Sequence, residues 1–290
     1  MRKRIKLGNR WIGEDEYPFI VAEIGGNHQG DIKTARKLIL EASKVGVDAV
    51  KFQKKDIETC FPQDLLDSPY TGNNSFGATY REHKQALELS PSQLVGLKCY
   101  AESLGLQFFA TPFDIKSVED LEYIGVKFYK VSSFHVTNHK LITKICQTRK
   151  PIIMSTGMST LEEVDRAVDL INKHGNPLAL LHCISCYPCN EEDMNLRVIQ
   201  TLQERYGCPV GYSGHEKNVS TCIATVMLGA CIIERHFTLD RTMKGTDHAM
   251  SVEPQGMEMI VKRSKAFSRA LGNPEKKVYA CELPALRKNR

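Results

Sequence analysis

Long apolar runs are missing from this sequence. No stretch of its 290 residues approaches the roughly 18 apolar residues of a membrane span, so no membrane role is expected. The basic start MRKRIKLGNR resembles the opening of a signal peptide, but its nearest apolar run, Phe19 to Ala22, is cut by Glu23. That run is too short for an export signal, and a cytoplasmic protein is expected. A large charge excess is missing too. The 39 basic and 34 acidic residues leave +5, and the bases are dispersed, with short runs only at Arg2 to Arg4 and Arg287 to Arg290. Such ends serve solubility rather than nucleic-acid binding, and the mild positive balance suits a small anionic substrate. There is no low-complexity segment, and no repeat longer than one strand and one helix.

The 10 cysteines, without an export signal, are expected as free thiols in a reducing compartment rather than as a disulfide framework. Cys183, Cys186 and Cys189 spell CxxCxxC, the spacing of an iron–sulfur site. They lack a clear fourth ligand and a neighbouring glycine-rich loop, so a cluster enzyme is the weaker alternative to buried or incidental thiols.

At 42% apolar residues the chain can fill a large core. Its length allows two domains or one α/β barrel of about 250 residues. Eight apolar, β-branched runs recur, at Phe19–Ile24, Ala49–Gln53, Gln107–Ala110, Lys127–Val131, Pro151–Met154, Leu178–His182, Pro209–Tyr212 and Cys231–Arg235. Segments of helical period follow them. Ile32, Ala35, Leu38, Ile39 and Ala42 keep the 3.6-residue spacing, as do Leu161, Val164, Ala167, Val168 and Ile171. Asp31, Ser90-Pro91 and Ser159 or Thr160, the last followed by Glu162 and Glu163, mark helix starts.

Parallel strands need crossover helices, and eight strand–helix units close a (β/α)8 TIM barrel over residues 17–275. The rival is an open doubly wound sheet. It lacks its fingerprint here, because IGGNHQG has the wrong spacing for GxGxxG. Residues 1–16 are expected to form a hairpin turning at Gly8-Asn9 and capping one barrel end. Residues 54–90 form a long excursion, expected to fold as a lid over the active face. Residues 276–290 are a C-terminal tail.

Chemistry in this fold sits at the C-terminal ends of the strands. Those ends carry Glu23; Lys51 and Gln53; Thr111; Lys130 and Ser133; Ser155; His182 and Cys183, with Tyr187 nearby; Ser213 and His215; and Glu234-Arg235-His236. An inert barrel has no reason to place two lysines at apolar strand ends. Lys51 and Lys130, with Thr111, Ser133 and Ser155, make an anion site suited to a phosphate, although one lysine could instead form a Schiff base. His215 and His236 come from neighbouring ends and could share a divalent cation, with Glu23 and Asp247 holding waters or sugar hydroxyls; either histidine could instead be structural. With few soft ligands, Mn²⁺ or Mg²⁺ suits the pair better than Zn²⁺.

The stretches AEIGGNHQG, AVKFQ, SFGATYREH, ATPFD, YKVSS, STGMST, GYSGHE and ERHFTLDRTMKGTDHAMSVEP resemble the sialic acid synthase family, over about residues 5–285. The resemblance implies a transferase that condenses phosphoenolpyruvate with the open-chain aldehyde of N-acetylmannosamine or a relative, with or without a 6-phosphate. The product would be a nine-carbon 2-keto acid, and phosphate would leave by C–O cleavage. It further implies a divalent cofactor, Mn²⁺ first, then Mg²⁺ or Co²⁺, held by His215 and His236. Lys51, Thr111, Lys130, Ser133 and Ser155 resemble phosphoenolpyruvate contacts. Glu23, Gln53, Tyr187 and Asp247 resemble groups around the sugar and a metal-bound water, with Glu23, Lys51, Lys130 and Asp247 in catalytic roles. Asn74, Ser185 and Ser213 complete the expected substrate-binding set.

Two departures bear on the acceptor and the partner. Where many members carry Gly-Ser-Gly and then Glu or Asp against the sugar, this sequence has Ser132-Ser133-Phe134-His135. Members also usually continue into a small antifreeze-like C-terminal domain that reaches the partner's site in a dimer. This sequence stops at Arg287-Lys288-Asn289-Arg290, where that domain would begin. The resemblance therefore implies weaker substrate binding and a more open barrel mouth, with a homodimer still expected. A barrel that binds phosphoenolpyruvate and sugar but has lost catalysis is the alternative function.

Overall fold

Eight parallel strands form one sheet in a computed structural model that describes residues 4–290. Two short strands precede them: β1 (Ile5–Leu7) and β2 (Arg10–Ile12). The eight are β3 (Phe19–Glu23), β4 (Ala49–Lys54), β5 (Gln107–Pro112), β6 (Tyr129–Val131), β7 (Ile152–Ser155), β8 (Leu178–Cys183), β9 (Val210–Gly214) and β10 (Ile232–His236). Every run expected from β-branched and apolar content is a strand, with ends shifted by at most two residues. The sheet order is β5-β4-β3-β10-β9-β8-β7-β6. β10 pairs with β3, from Ile232 opposite Phe19 to His236 opposite Glu23, so the last strand is joined to the first. The seam falls between β5 and β6, and the sheet is a nearly closed (β/α)8 barrel.

The strands are buried on both faces, because each alternates between the lumen and the helical layer. Ile20, Ala22, Val50, Phe52, Ala110, Met154 and Leu180 face outward and pack with helix residues such as Leu38, Leu97, Val118 and Ile145. Phe19, Val21, Ala49, Phe109, Phe128, Ile153, Ala179, Leu181 and Ile232 fill the lower lumen. Truncating a side chain such as Phe109 there would cost about 3–5 kcal/mol. A side chain has no room at Gly211: a Cβ there would lie 2.4 Å from the Ile232 carbonyl oxygen and 2.8 Å from Leu181.

Helix starts follow the expected signals. Asp31 accepts from the Lys33 and Thr34 amides. Ser90 and Gln93 cap one another's amides, with Pro91 in the first turn. Of Ser159 and Thr160, the cap is Thr160, reciprocated by Glu163. These bonds satisfy orphan N–H groups that would otherwise destabilise each helix by about 1 kcal/mol.

β1 and β2 pair antiparallel, with Ile5 opposite Ile12. Ile5, Leu7 and Ile12 are buried with Phe19, Phe109 and Leu181, so this hairpin stoppers the N-terminal end of the barrel. Residues 1–3 of the expected hairpin segment lie outside the described residues. At the opposite end, the excursion folds into three short helices, Ile57–Cys60, Gln63–Leu66 and Tyr80–Leu87. Phe61, Tyr70, Phe76, Tyr80 and His83 pack ring against ring and hold it together. The tail ends in a helix, Leu283–Asn289, with no buried side chain. Among the described residues no helix is long and apolar enough to cross a membrane.

Candidate active site

Above the apolar lumen lies a layer of buried polar groups, one from nearly every strand. Alternation dictates it: Lys51, Thr111, Lys130, Ser155, Ser213 and Glu234 continue the inward-facing rows that begin with the lumen's apolar residues. A small basin of about 70 Å³ is lined by Glu23, Lys51, Lys130, Ser155, Glu234 and His236, among others. A cavity of about 720 Å³ opens beyond it, walled by Gln53, Lys55, Tyr80, Lys84, Phe134, His135 and Asp247. Gln53, Phe113, Phe134, Tyr187 and His236 line both.

Two ammonium groups form the basin's cationic side, and neither is bare. Lys51 Nζ lies 2.9 Å from Glu23 Oε2 and 3.6 Å from Glu234 Oε1, and it donates to Thr111 Oγ1 at 3.0 Å. Lys130 Nζ lies 3.5 Å from the same Glu234 oxygen and donates to Ser155 Oγ at 2.7 Å. Burial works against the Lys51 ammonium, but Glu23 and Glu234 outweigh it and raise its pKa. For Lys130 burial, helped by Lys51, wins over Glu234 and lowers it. Burial also opposes the Glu234 carboxylate, yet Lys130, Lys51 and His236 together hold its pKa below the usual value.

Glu234 stands at a strand end in the sequence but has no role in the sequence-based set. The signal was present: in a strand, positions two apart share a face, so an inward His236 implies an inward Glu234. Ser213 Oγ also donates to it, at 3.3 Å, while its Oε2 is buried without a hydrogen-bond partner. Arg235, between them, faces outward and is held by Glu216 Oε1 at 2.8 Å.

Ser133 accepts the Gly157 amide at 3.0 Å. Ser185 Oγ also crowds that glycine: an added Cβ would come within 2.5 Å of it. Gln53 Nε2 donates to Glu23 Oε1 at 2.8 Å.

The two imidazoles face each other across the basin mouth, with ring centroids 5.6 Å apart. His215 Nδ1 is 2.9 Å from the Ile184 carbonyl. A carbonyl only accepts, so Nδ1 carries the proton and Nε2 is left with its lone pair. Burial, then His236, push His215 down to about 3, which keeps it neutral. His236 Nδ1 is buried without a hydrogen-bond partner, 3.9 Å from Asp247 Oδ2. The Tyr187 ring lies 4.0 Å from His215. Among the described residues no group of three His, Cys, Asp or Glu is placed to hold a metal ion. The three thiols of CxxCxxC do not converge either: Cys183 and Cys189 are buried and Cys186 is exposed.

Asn74 stands apart from the other expected site residues. It is exposed, and its Oδ1 accepts the Gly245 amide at 3.1 Å, tying the excursion to the loop that carries Asp247. His135, at the position where the resemblance expects a carboxylate, is 2.8 Å from Ser132 Oγ. Burial lowers its pKa to about 4, so the cavity meets a neutral imidazole there.

The NeuB family profile matches residues 38–276. The chain belongs to the NeuB family. It is 40% identical over 275 residues to N-acetylneuraminate-9-phosphate synthase of Mus musculus, covering 94% of this chain and 77% of the relative. It is 39% identical over 272 residues to N,N'-diacetyllegionaminic acid synthase of Legionella pneumophila, covering 92% and 76%. A crystal structure described as N-acetylneuraminic acid (sialic acid) synthetase from Leptospira borgpetersenii in complex with citrate superposes with a TM-score of 0.89. It is 33% identical and covers 99% of this NeuB-family chain and 96% of its own. A truncated 3-deoxy-D-arabino-heptulosonate 7-phosphate synthase from Thermotoga maritima, 16% identical with a TM-score of 0.70, shares the fold.

Proposed function

We propose that this chain condenses phosphoenolpyruvate with the open-chain aldehyde of an N-acetylated hexosamine, N-acetylmannosamine or a relative, giving a nine-carbon 2-keto sugar acid. In the reaction C3 of phosphoenolpyruvate bonds to the aldehyde carbon, a water oxygen bonds to C2, and the C2–O bond to phosphate breaks. Synthase names among the relatives support the reaction class. The observation that carries it here is the pair Lys51 and Lys130 astride Glu234, directly below the imidazole pair and a cavity large enough for a sugar.

The small basin takes phosphoenolpyruvate. Lys51 and Lys130 meet its negative charge, and the hydroxyls of Thr111, Ser133 and Ser155 supply neutral donors around them. Glu23, held by Gln53 and Lys51, offers a carboxylate to take the proton of the water that attacks C2. The outer cavity takes the sugar, with its aldehyde at the shared wall of Tyr187 and His236. Asp247, whose pKa burial would raise but His236, Thr246 and nearby lysines lower, stays ionised to accept from a hydroxyl.

His215 and His236 fit a divalent cation, Mn²⁺ or alternatively Mg²⁺ or Co²⁺. One is neutral with a free Nε2, the other has a buried nitrogen without a partner, and water or substrate oxygens would complete the shell. Bound there, the cation supplies Lewis-acid polarisation of the aldehyde oxygen. The test is phosphate release from phosphoenolpyruvate by the full chain with Mn²⁺ and a panel of hexosamines. Release that depends on an N-acetylated hexosamine is expected; release independent of sugar, or none with any sugar, overturns the proposal.

A further inference from the structure

Two cations in the outer cavity feel the carboxylates of Asp247 and Glu88, yet among the described residues neither forms a close ion pair. Lys55 follows β4, and Lys84 lies on the helix Tyr80–Leu87; both are half-buried and both line the cavity. Their sequence neighbours show what a committed lysine looks like here. Lys54 Nζ reaches Glu88 Oε1 at 2.8 Å and the Lys55 carbonyl at 3.0 Å, and the same Glu88 oxygen accepts the Lys55 amide at 3.1 Å. The Lys55 ammonium instead donates to the neutral Gln53 Oε1 at 2.6 Å and sits 4.1 Å from the Phe113 ring centroid. The Lys84 ammonium has only aromatic faces beside it, Tyr80 at 4.9 Å and Phe61 at 5.9 Å. Among the described residues neither ammonium comes within 4 Å of a carboxylate oxygen.

Asp247 and Glu88 do not offset the burial of this pair. Burial lowers the pKa of both; Glu88 and Asp247 oppose it at each, and Lys84 adds to it at Lys55, and the net direction stays downward. A dianion between them would reverse both effects at once. Their position says where on a substrate that dianion sits. Lys55 and Lys84 line the outer cavity but not the inner basin, whereas the aldehyde must lie at the wall the two share. The hydroxyls and acetamido group of an unmodified hexosamine are neutral and leave the two ammonium groups unmatched. The relatives do not decide the point, because a 9-phosphate synthase and a legionaminic acid synthase are 40% and 39% identical to this chain.

We propose that Lys55 and Lys84 bind a phosphomonoester carried by the acceptor sugar at the end remote from its aldehyde. This rests on the synthase function proposed above and selects its phosphorylated form. Lysine serves such a group as a point charge, without the planar fork of arginine.

The test compares N-acetylmannosamine with its 6-phosphate as acceptors, reading kcat/KM for each by phosphate release from phosphoenolpyruvate. The parent chain is expected to favour the 6-phosphate by about tenfold or more, as for a charge-assisted contact. Lys84→Gln and Lys55→Gln should each reduce that preference by about tenfold. Lys84→Arg, which keeps the charge, should retain most of it, and this guards against a loss caused by misfolding. Equal or better use of the unphosphorylated sugar by the parent chain overturns the proposal and leaves the synthase function standing. So does a preference unchanged in both glutamine variants. Failure with both sugars, despite a folded chain, removes the synthase function and this assignment together.

Discussion

Glu234 Oε1 lies 3.5 Å from Lys130 Nζ, and the same oxygen is 3.6 Å from Lys51 Nζ. One carboxylate therefore keeps two buried ammonium groups side by side at the bottom of the site. Removing one partner of a buried ionic group leaves charge uncompensated, at a cost of about 3–5 kcal/mol. Glu234→Gln is expected to lower the melting temperature of the ligand-free chain. Phosphoenolpyruvate should then raise that temperature by more in the variant than in the parent, because it restores the missing charge. Equal shifts in the two proteins would contradict this account of the basin.

Chelation tests the imidazole pair. Treatment with EDTA is expected to abolish sugar-dependent phosphate release, and Mn²⁺ to restore it. His215→Ala or His236→Ala should reduce kcat by about a thousandfold or more if polarisation of the aldehyde supplies several kcal/mol. Binding of Mn²⁺, followed by electron paramagnetic resonance, should weaken in the same variants. Full turnover after exhaustive chelation would remove the metal from the proposal.

Gly157 sits where a side chain has no room. A Cβ there would come within 2.5 Å of Ser185 Oγ, 2.9 Å of Ser133 Oγ and 3.1 Å of the Cys183 carbonyl oxygen. Gly157→Ala must displace the hydroxyl that accepts its own amide, and a shift of about 1 Å in a positioning group costs on the order of a hundredfold. The expected result is a raised KM for phosphoenolpyruvate. A KM within twofold of the parent would show that Ser133 does not touch that substrate.

Much of this arrangement is legible in the sequence. Alternation along the strands, with the rule that barrel chemistry sits at their C-terminal ends, brings Lys51, Thr111, Lys130, Ser155 and His236 to one place without coordinates. The same rule carries Glu234 inward with His236. Residue type alone does not single it out, because a carboxylate between two lysines runs against an anion site. The excursion shows the limit of pattern reading. Its aromatic composition marks it as folded, but no periodicity tells that Lys84 faces the outer cavity while Asn74 turns outward to the Gly245 amide. Those orientations depend on how three short helices pack together. The neutral His135 follows from burial, which a residue name does not carry.

His28 gives a pH dependence. It is buried, its ring lies 5.8 Å from that of Phe52, and its Nδ1 accepts the Gly30 amide at 3.0 Å. Burial, then Lys55, lower its pKa to about 4, against about 6.5 for an unfolded histidine. Between those values the unfolded chain takes up a proton that the native chain refuses. The stability this histidine contributes is therefore complete above pH about 6.5, falls as pH drops through the window and levels off below about 4; the total is at most about 3 kcal/mol. His28→Gln should flatten the fall in urea midpoint between these pH values relative to the parent. Parallel curves would show that His28 titrates normally in the fold.

The most direct test of the central claim follows one oxygen. Phosphoenolpyruvate labelled with ¹⁸O at the bridging position is incubated with the full chain, Mn²⁺ and an N-acetylated hexosamine, or its 6-phosphate, that supports turnover. Cleavage of the C–O bond sends the label into inorganic phosphate and leaves the nine-carbon keto acid unlabelled. Label retained in the keto acid, or phosphate formed without any sugar, would contradict the account.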